Sequence, residues 1–139
     1  MVKALITFRL LYSIIVEQNF YGWGDIETDF LEKVKDEIDF EKVDILFAPH
    51  HGRESGKIPE DILSILDPKI IVIGEAKSKD LNYYSGYNTI TQNSAGDITF
   101  ECIDGKVHIY VGSDTYEVDY LNNENQDTYE NYIGSFDMD

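Results

Sequence analysis

Three side chains suited to chemistry stand where the sequence predicts strands to end: Asp25, His50 and His51. The histidines close an apolar run, Val43-Asp44-Ile45-Leu46-Phe47-Ala48, and lie between Pro49 and Gly52. That run is β-branched and aromatic enough to read as a strand buried on both faces. Pro49 has no N–H for a sheet ladder, so the strand stops there, and Gly52 lets the backbone turn sharply. Two imidazoles are therefore expected at the end of a rigid strand, where open sheets place their chemistry. Asp25 closes a second tight turn, Phe20-Tyr21-Gly22-Trp23-Gly24-Asp25, which follows another apolar run, Tyr12 to Val16. A carboxylate and two imidazoles at neighbouring strand ends make half of a site for a metal ion.

The elements that must hold these residues follow from periodicity. Ala4 to Leu11 and Tyr12 to Gln18 read as two strands of a tight hairpin leading into the Gly22–Asp25 turn. From Ile26 the period changes, and Phe30, Leu31, Val34 and Ile38 fall on one helical face. Asp25 or Thr28 is available to cap that helix, which crosses back to the strand at 43–48. A polar loop, Gly52 to Lys57, precedes Ile58-Pro59-Glu60-Asp61, a helix-entry signal. Ile62, Leu63, Ile65 and Leu66 supply the apolar face of the second helix, and Asp67-Pro68 ends it. Lys69 to Gly74 is another apolar strand, so two strand–helix–strand units succeed one another. Glu75 to Ser94 carries Tyr83, Tyr84 and Tyr87 in a loop that either covers a site or packs on the surface. Residues 97–102, 106–112 and 115–120 alternate apolar and polar and predict a β-meander with Ile98, Phe100 and Cys102 on one side. Beyond Leu121 the chain is rich in Asn, Asp and Glu, which predicts a flexible acidic tail over 121–139.

At 139 residues the chain reads as one domain, or part of one, over 1–120. Its formal net charge of −16 repels phosphates and anionic lipids, which argues against a general nucleic-acid-binding surface. A local metal site would still reverse the field for a phosphodiester. The single cysteine, Cys102, excludes an intramolecular disulfide and is expected as a buried thiol. Lys3, Arg9 and Glu17 interrupt the apolar start, so no signal peptide is expected, and no stretch has the length of a membrane span. The resulting expectation is a soluble cytoplasmic protein.

The series Gly24-Asp25, Pro49-His50-His51-Gly52, Asp67-Pro68-Lys69 before an apolar strand, and Thr91 through Ile98 before a meander resembles the second half of metallo-β-lactamase-fold hydrolases. The branch it looks most like is the extracytoplasmic domain of ComEC-type competence proteins and its free-standing relatives. The resemblance runs to about Tyr120. It implies an α/β (α+β) fold: half of an αβ/βα sandwich, with a mixed sheet, two main helices and a C-terminal β-meander. It also implies one or two metal ions, zinc or manganese, that activate water to hydrolyse phosphodiesters or other esters. In that pattern Asp25 bridges the two ions, His51 binds one of them, and His50 faces water or substrate. The family's upstream His-x-His-x-Asp-His motif has no counterpart here: the only histidines are His50, His51 and His108, and His108 reads as an ordinary strand residue. Arg53 also stands where the family has a serine.

Two protein ligands are fewer than the three a catalytic zinc site normally offers. The missing donors would come from a longer chain, a partner chain, or a second copy across a two-fold axis. A half sandwich also leaves an apolar sheet face open, most evidently along residues 4–16, which predicts a homo-oligomer or a covering partner. Two functions remain from the residues: a metal-dependent hydrolase domain, or a noncatalytic interaction module derived from one.

Overall fold

The computed structural model describes residues 4–8, 20–22 and 24–139. In chain order these form β1 (Ala4–Phe8), β2 (Phe20–Gly22), α1 (Thr28–Val34), β3 (Ile45–Phe47), α2 (Glu60–Leu66), β4 (Ile70–Ile73), β5 (Thr89–Thr91), α3 (Gln92–Ala95), β6 (Ile98–Ile103), β7 (Lys106–Val111) and β8 (Tyr132–Asp137). The fold is mixed α+β. The chain divides into two compact units, one from Tyr12–Thr91 and one from Met1–Leu11 with Gln92–Asp139. Where the sequence predicts one mixed sheet, the described residues form two four-stranded sheets of different kind. β2 to β3 and β3 to β4 are joined through α1 and α2 and pair parallel, and β6 to β7 is joined through a tight turn and pairs antiparallel.

In the first unit the order is β2-β3-β4-β5, all parallel. Every residue of β4 is buried, as the apolar run at 70–73 predicts. Leu46, Ile71 and Ile73 join Leu31, Val43, Ala48, Ile58, Ile62, Leu63, Leu66 and Tyr84 in one core cluster. The alternate side chains Ile45, Ile70, Val72 and Ile90 are buried as well. Both faces of this sheet are therefore excluded from water, as parallel sheets require. Asp44 is the charged exception, and Lys69 Nζ stands 3.0 Å from its carboxylate.

Three features differ from the sequence expectation here. The apolar face of α1 is narrower than its period predicts: Leu31 is buried, but Phe30 is 54% exposed and Ile38 39% exposed. The α-helix stops at Val34 and continues only as a 3₁₀ turn over Lys35–Glu37, whose tighter pitch turns the later apolar positions off the common stripe. In α2, Ile62, Leu63 and Leu66 are buried, whereas Ile65 is 52% exposed. The strand that leads into the Gly24–Asp25 turn is β2, and the strand expected at 12–18, with its hairpin, lies outside the described residues.

In the second unit the order is β1-β6-β7-β8, all antiparallel. Ile98, Phe100 and Cys102 are buried on one side, opposite Val111, Ile109 and Val107 of the next strand. The third strand of the meander is β8, not 115–120, and the expected tail contains a six-residue strand paired to β7. Gly134 explains the difference. It adopts φ 136, and a Cβ there would stand 2.5 Å from Leu121 Cβ. Leu121 and Asn122 thus cross tightly over β8, with Asn122 and Ser135 exchanging backbone bonds of 2.9 and 2.8 Å. A charged, Asn-rich segment is stitched down by backbone pairing that composition does not reveal.

Candidate functional site

β2 runs in register with β3, pairing Phe20 with Ile45, Tyr21 with Leu46 and Gly22 with Phe47. Two parallel strands in step release their next residues at the same sheet edge. The turn at Gly24-Asp25 and the turn at Pro49–Gly52 therefore leave side by side, and the His50 N–H donates to the Gly24 carbonyl at 2.7 Å. The sequence reading placed Asp25 and the histidines at neighbouring strand ends, and the structure brings these two turns together.

The histidine turn has an unusual backbone. His50 (φ 52, ψ 41) and His51 (φ 57, ψ 20) are both left-handed, and Gly52 follows at φ 80. A left-handed conformation costs an L-residue ~1–2 kcal/mol, and such strain persists only where the surroundings impose it. The surroundings here are close-packed glycines. A Cβ on Gly52 would lie 2.7 Å from Ile73 Cγ2, one on Gly56 2.6 Å from His50 Cβ, and one on Gly74 2.8 Å from His51 Nδ1. The end of β4 and the loop at 54–56 thus press on the turn from two directions.

The side chains follow from this frame. His50 and His51 are half-buried, whereas Asp25 is exposed. The His50 Nδ1 lies 2.7 Å from the Ser55 hydroxyl. Thr28 does not cap α1, and neither does Asp25: the N-cap is Glu27, without a side-chain cap bond. The Thr28 hydroxyl instead reaches the carbonyls of Lys57 and Ser55, at 2.6 and 3.1 Å, and ties the loop after the histidines to the helix. Asp25 is thereby left without a capping duty.

The tyrosine segment packs inward rather than only on the surface, with Tyr84 in the core and Tyr83 and Tyr87 partly buried against it. Tyr84 is a core residue whose hydroxyl accepts the Ile58 N–H at 3.3 Å, and burial pushes its phenol up to about 12. Tyr83 sits against the carboxylates of Asp80 and Glu54; desolvation first, then those charges, raise its phenol. It thus adjoins the loop that carries Ser55. Ser55 and Thr28 were not predicted as site residues. Their only signal was a hydroxyl near a glycine turn, which many loops share.

Chemically, a carboxylate and imidazoles form the donor set that zinc and manganese accept. The described residues hold no cluster of three or more His, Cys, Asp or Glu side chains, so the fit is in kind and not in number. His108 is a buried strand residue of the antiparallel sheet, with Nδ1 3.1 Å from the Tyr132 hydroxyl and Nε2 3.9 Å from Glu124. Cys102 is a buried thiol, as expected. Among the described residues, no helix is long and apolar enough to cross a membrane. No protein-family model, curated protein or solved structure matches the chain.

Proposed function

We propose that this chain carries the second half of a metal-dependent hydrolase site of the metallo-β-lactamase type, acting on a phosphodiester or another ester. The observation that carries the reading is the backbone bond between His50 and Gly24, which fastens the acid turn to the histidine turn at one edge of a parallel sheet. The sequence resemblance supplies the roles: Asp25 and His51 as ligands to zinc or manganese, His50 facing water or substrate. A bound divalent ion would supply an acidified water and a Lewis acid for the ester oxygen. The chain's own part is to present the donors. Asp25 offers an exposed carboxylate, and His51 is held half-buried against Gly74. Left-handed backbone and three close glycines fix the imidazoles before any ligand arrives, which limits the ordering cost of binding. The donors still missing come from another segment or another chain.

The test is metal content by plasma mass spectrometry on the purified chain, beside an Asp25→Ala/His51→Ala variant. The proposal expects near-stoichiometric zinc or manganese in the wild type after loading, and loss of it in the variant. Equal, negligible metal in both proteins with excess ion present would leave the chain as a noncatalytic interaction module.

A further inference from the structure

We infer that Ser55 is a positioning residue for His50: it accepts the ring's Nδ1–H and leaves the Nε2 lone pair as the outward-acting atom. The Oγ–Nδ1 separation of 2.7 Å is at the short end for a hydrogen bond to nitrogen. The serine is exposed, yet its backbone is not free to wander. Its carbonyl receives the Thr28 hydroxyl, and Gly56 next to it packs so closely that a Cβ would stand 2.6 Å from His50 Cβ and 2.7 Å from the Pro49 carbonyl oxygen. The Arg53 N–H donates to the His50 carbonyl at 3.1 Å, and the Gly56 N–H to the Arg53 carbonyl at 3.0 Å. These bonds close a short circuit of backbone from the ring to the hydroxyl. On the other side, His50 is locked at φ 52 by its bond to Gly24. Both partners are preset, so the contact does not depend on a ligand to form it.

Either atom of the pair can donate. The choice of Nδ1–H rests on the proposed function: an imidazole that ligates or accepts a proton through Nε2 gives its other N–H to an oxygen acceptor. That acceptor is commonly a carboxylate or a carbonyl. In this loop the hydroxyl of Ser55 takes the place.

The experiment is long-range proton–nitrogen NMR on the neutral imidazoles of the full chain, with three histidines to separate. His50→Asn, a residue that tolerates the left-handed backbone, assigns the His50 signals. Wild type is expected to show a protonated Nδ1 and an unprotonated Nε2 at His50. Ser55→Ala should lose that bias and Ser55→Thr should restore it, with urea midpoints recorded to confirm that all three variants are folded. A proton on Nε2 in the wild type, or an unchanged pattern in Ser55→Ala, overturns the inference. Titration with cobalt ion alone separates this from the metal reading. If cobalt binds, Ser55→Ala should leave its affinity nearly unchanged, because His51 and not His50 is the ligand in that reading, and a large loss of affinity would overturn the assignment of Ser55 to His50 alone. If no cobalt binds while the Nδ1–H pattern is present and serine-dependent, the hydrolase reading fails and the positioning role stands.

Discussion

At the scale of single residues, the strained turn makes inverted demands on substitution. Alanine ordinarily outperforms glycine because it has less freedom to lose on folding. At position 50 the backbone is left-handed, so the order should reverse. Urea unfolding of His50→Gly and His50→Ala, both without the imidazole, should place the glycine variant ahead by ~1 kcal/mol. Parity, or an advantage for alanine, would mean that the turn is not held left-handed in solution. Gly74 poses the complementary case. Its φ is ordinary, but an added methyl would meet His51 Nδ1 at 2.8 Å and His51 Cβ at 3.3 Å. Gly74→Ala should cost ~1–3 kcal/mol by overpacking and shift the His51 ring resonances. Unmoved His51 signals would show that the ring does not rest on β4.

The elements tell how a short chain holds that turn. Tyr84 links the tyrosine segment to the entry of α2 through the Ile58 N–H, and its phenol is raised because burial penalises the anion. A raised folded value contributes stability that is intact below the ordinary tyrosine range near 10.0 and is lost as pH climbs toward about 12. In urea titrations across that window, Tyr84→Phe should lose stability with pH less steeply than wild type, by about one linked proton. Near neutrality the same variant should be weaker by ~1 kcal/mol, for the bond that Ile58 no longer makes. Equal slopes would contradict the burial of this side chain. Elements of this kind differ in how well the sequence announces them. β3, α2 and β4 are continuous apolar runs or a capped apolar period bounded by Pro49, Pro59 and Asp67-Pro68, so their types and near-boundaries are legible. β5 is three residues, Thr89–Thr91, paired to β4 with Ile90 buried, and local pattern has little to offer over so short a stretch. The adjacency of the Gly24-Asp25 turn and the histidine turn was legible because parallel strands of successive units tend to be neighbours. The Ser55 contact was not, since it depends on left-handed dihedrals at two histidines, which no propensity would assign.

For the whole molecule, charge is the dominant global property. A net charge of −16 on 139 residues makes the folded state repel itself, and the ion pairs at the surface, such as Lys35 with Glu32 and Asp61, engage few of the acids. Raising ionic strength from ~0.01 M to ~0.15 M shortens the screening length from ~30 Å to ~8 Å. The urea midpoint should therefore rise with sodium chloride over that range, and a flat or falling midpoint would mean that attractive pairs outweigh the repulsion. The chain also assembles its antiparallel sheet from distant parts: β1 comes from one end of the sequence, β8 from the other, and residues 12–91 intervene between β1 and the rest. β8 matters most for what would happen without it. A protease clip or a premature stop after Tyr120 would bare the rim of β7, six residues whose last five, Val107 to Val111, are buried in the intact protein. A long, apolar, unpaired rim is a template for any strand that drifts past, including its own copies. Residues 132–137, which by composition look dispensable, thus cover that rim in the folded chain.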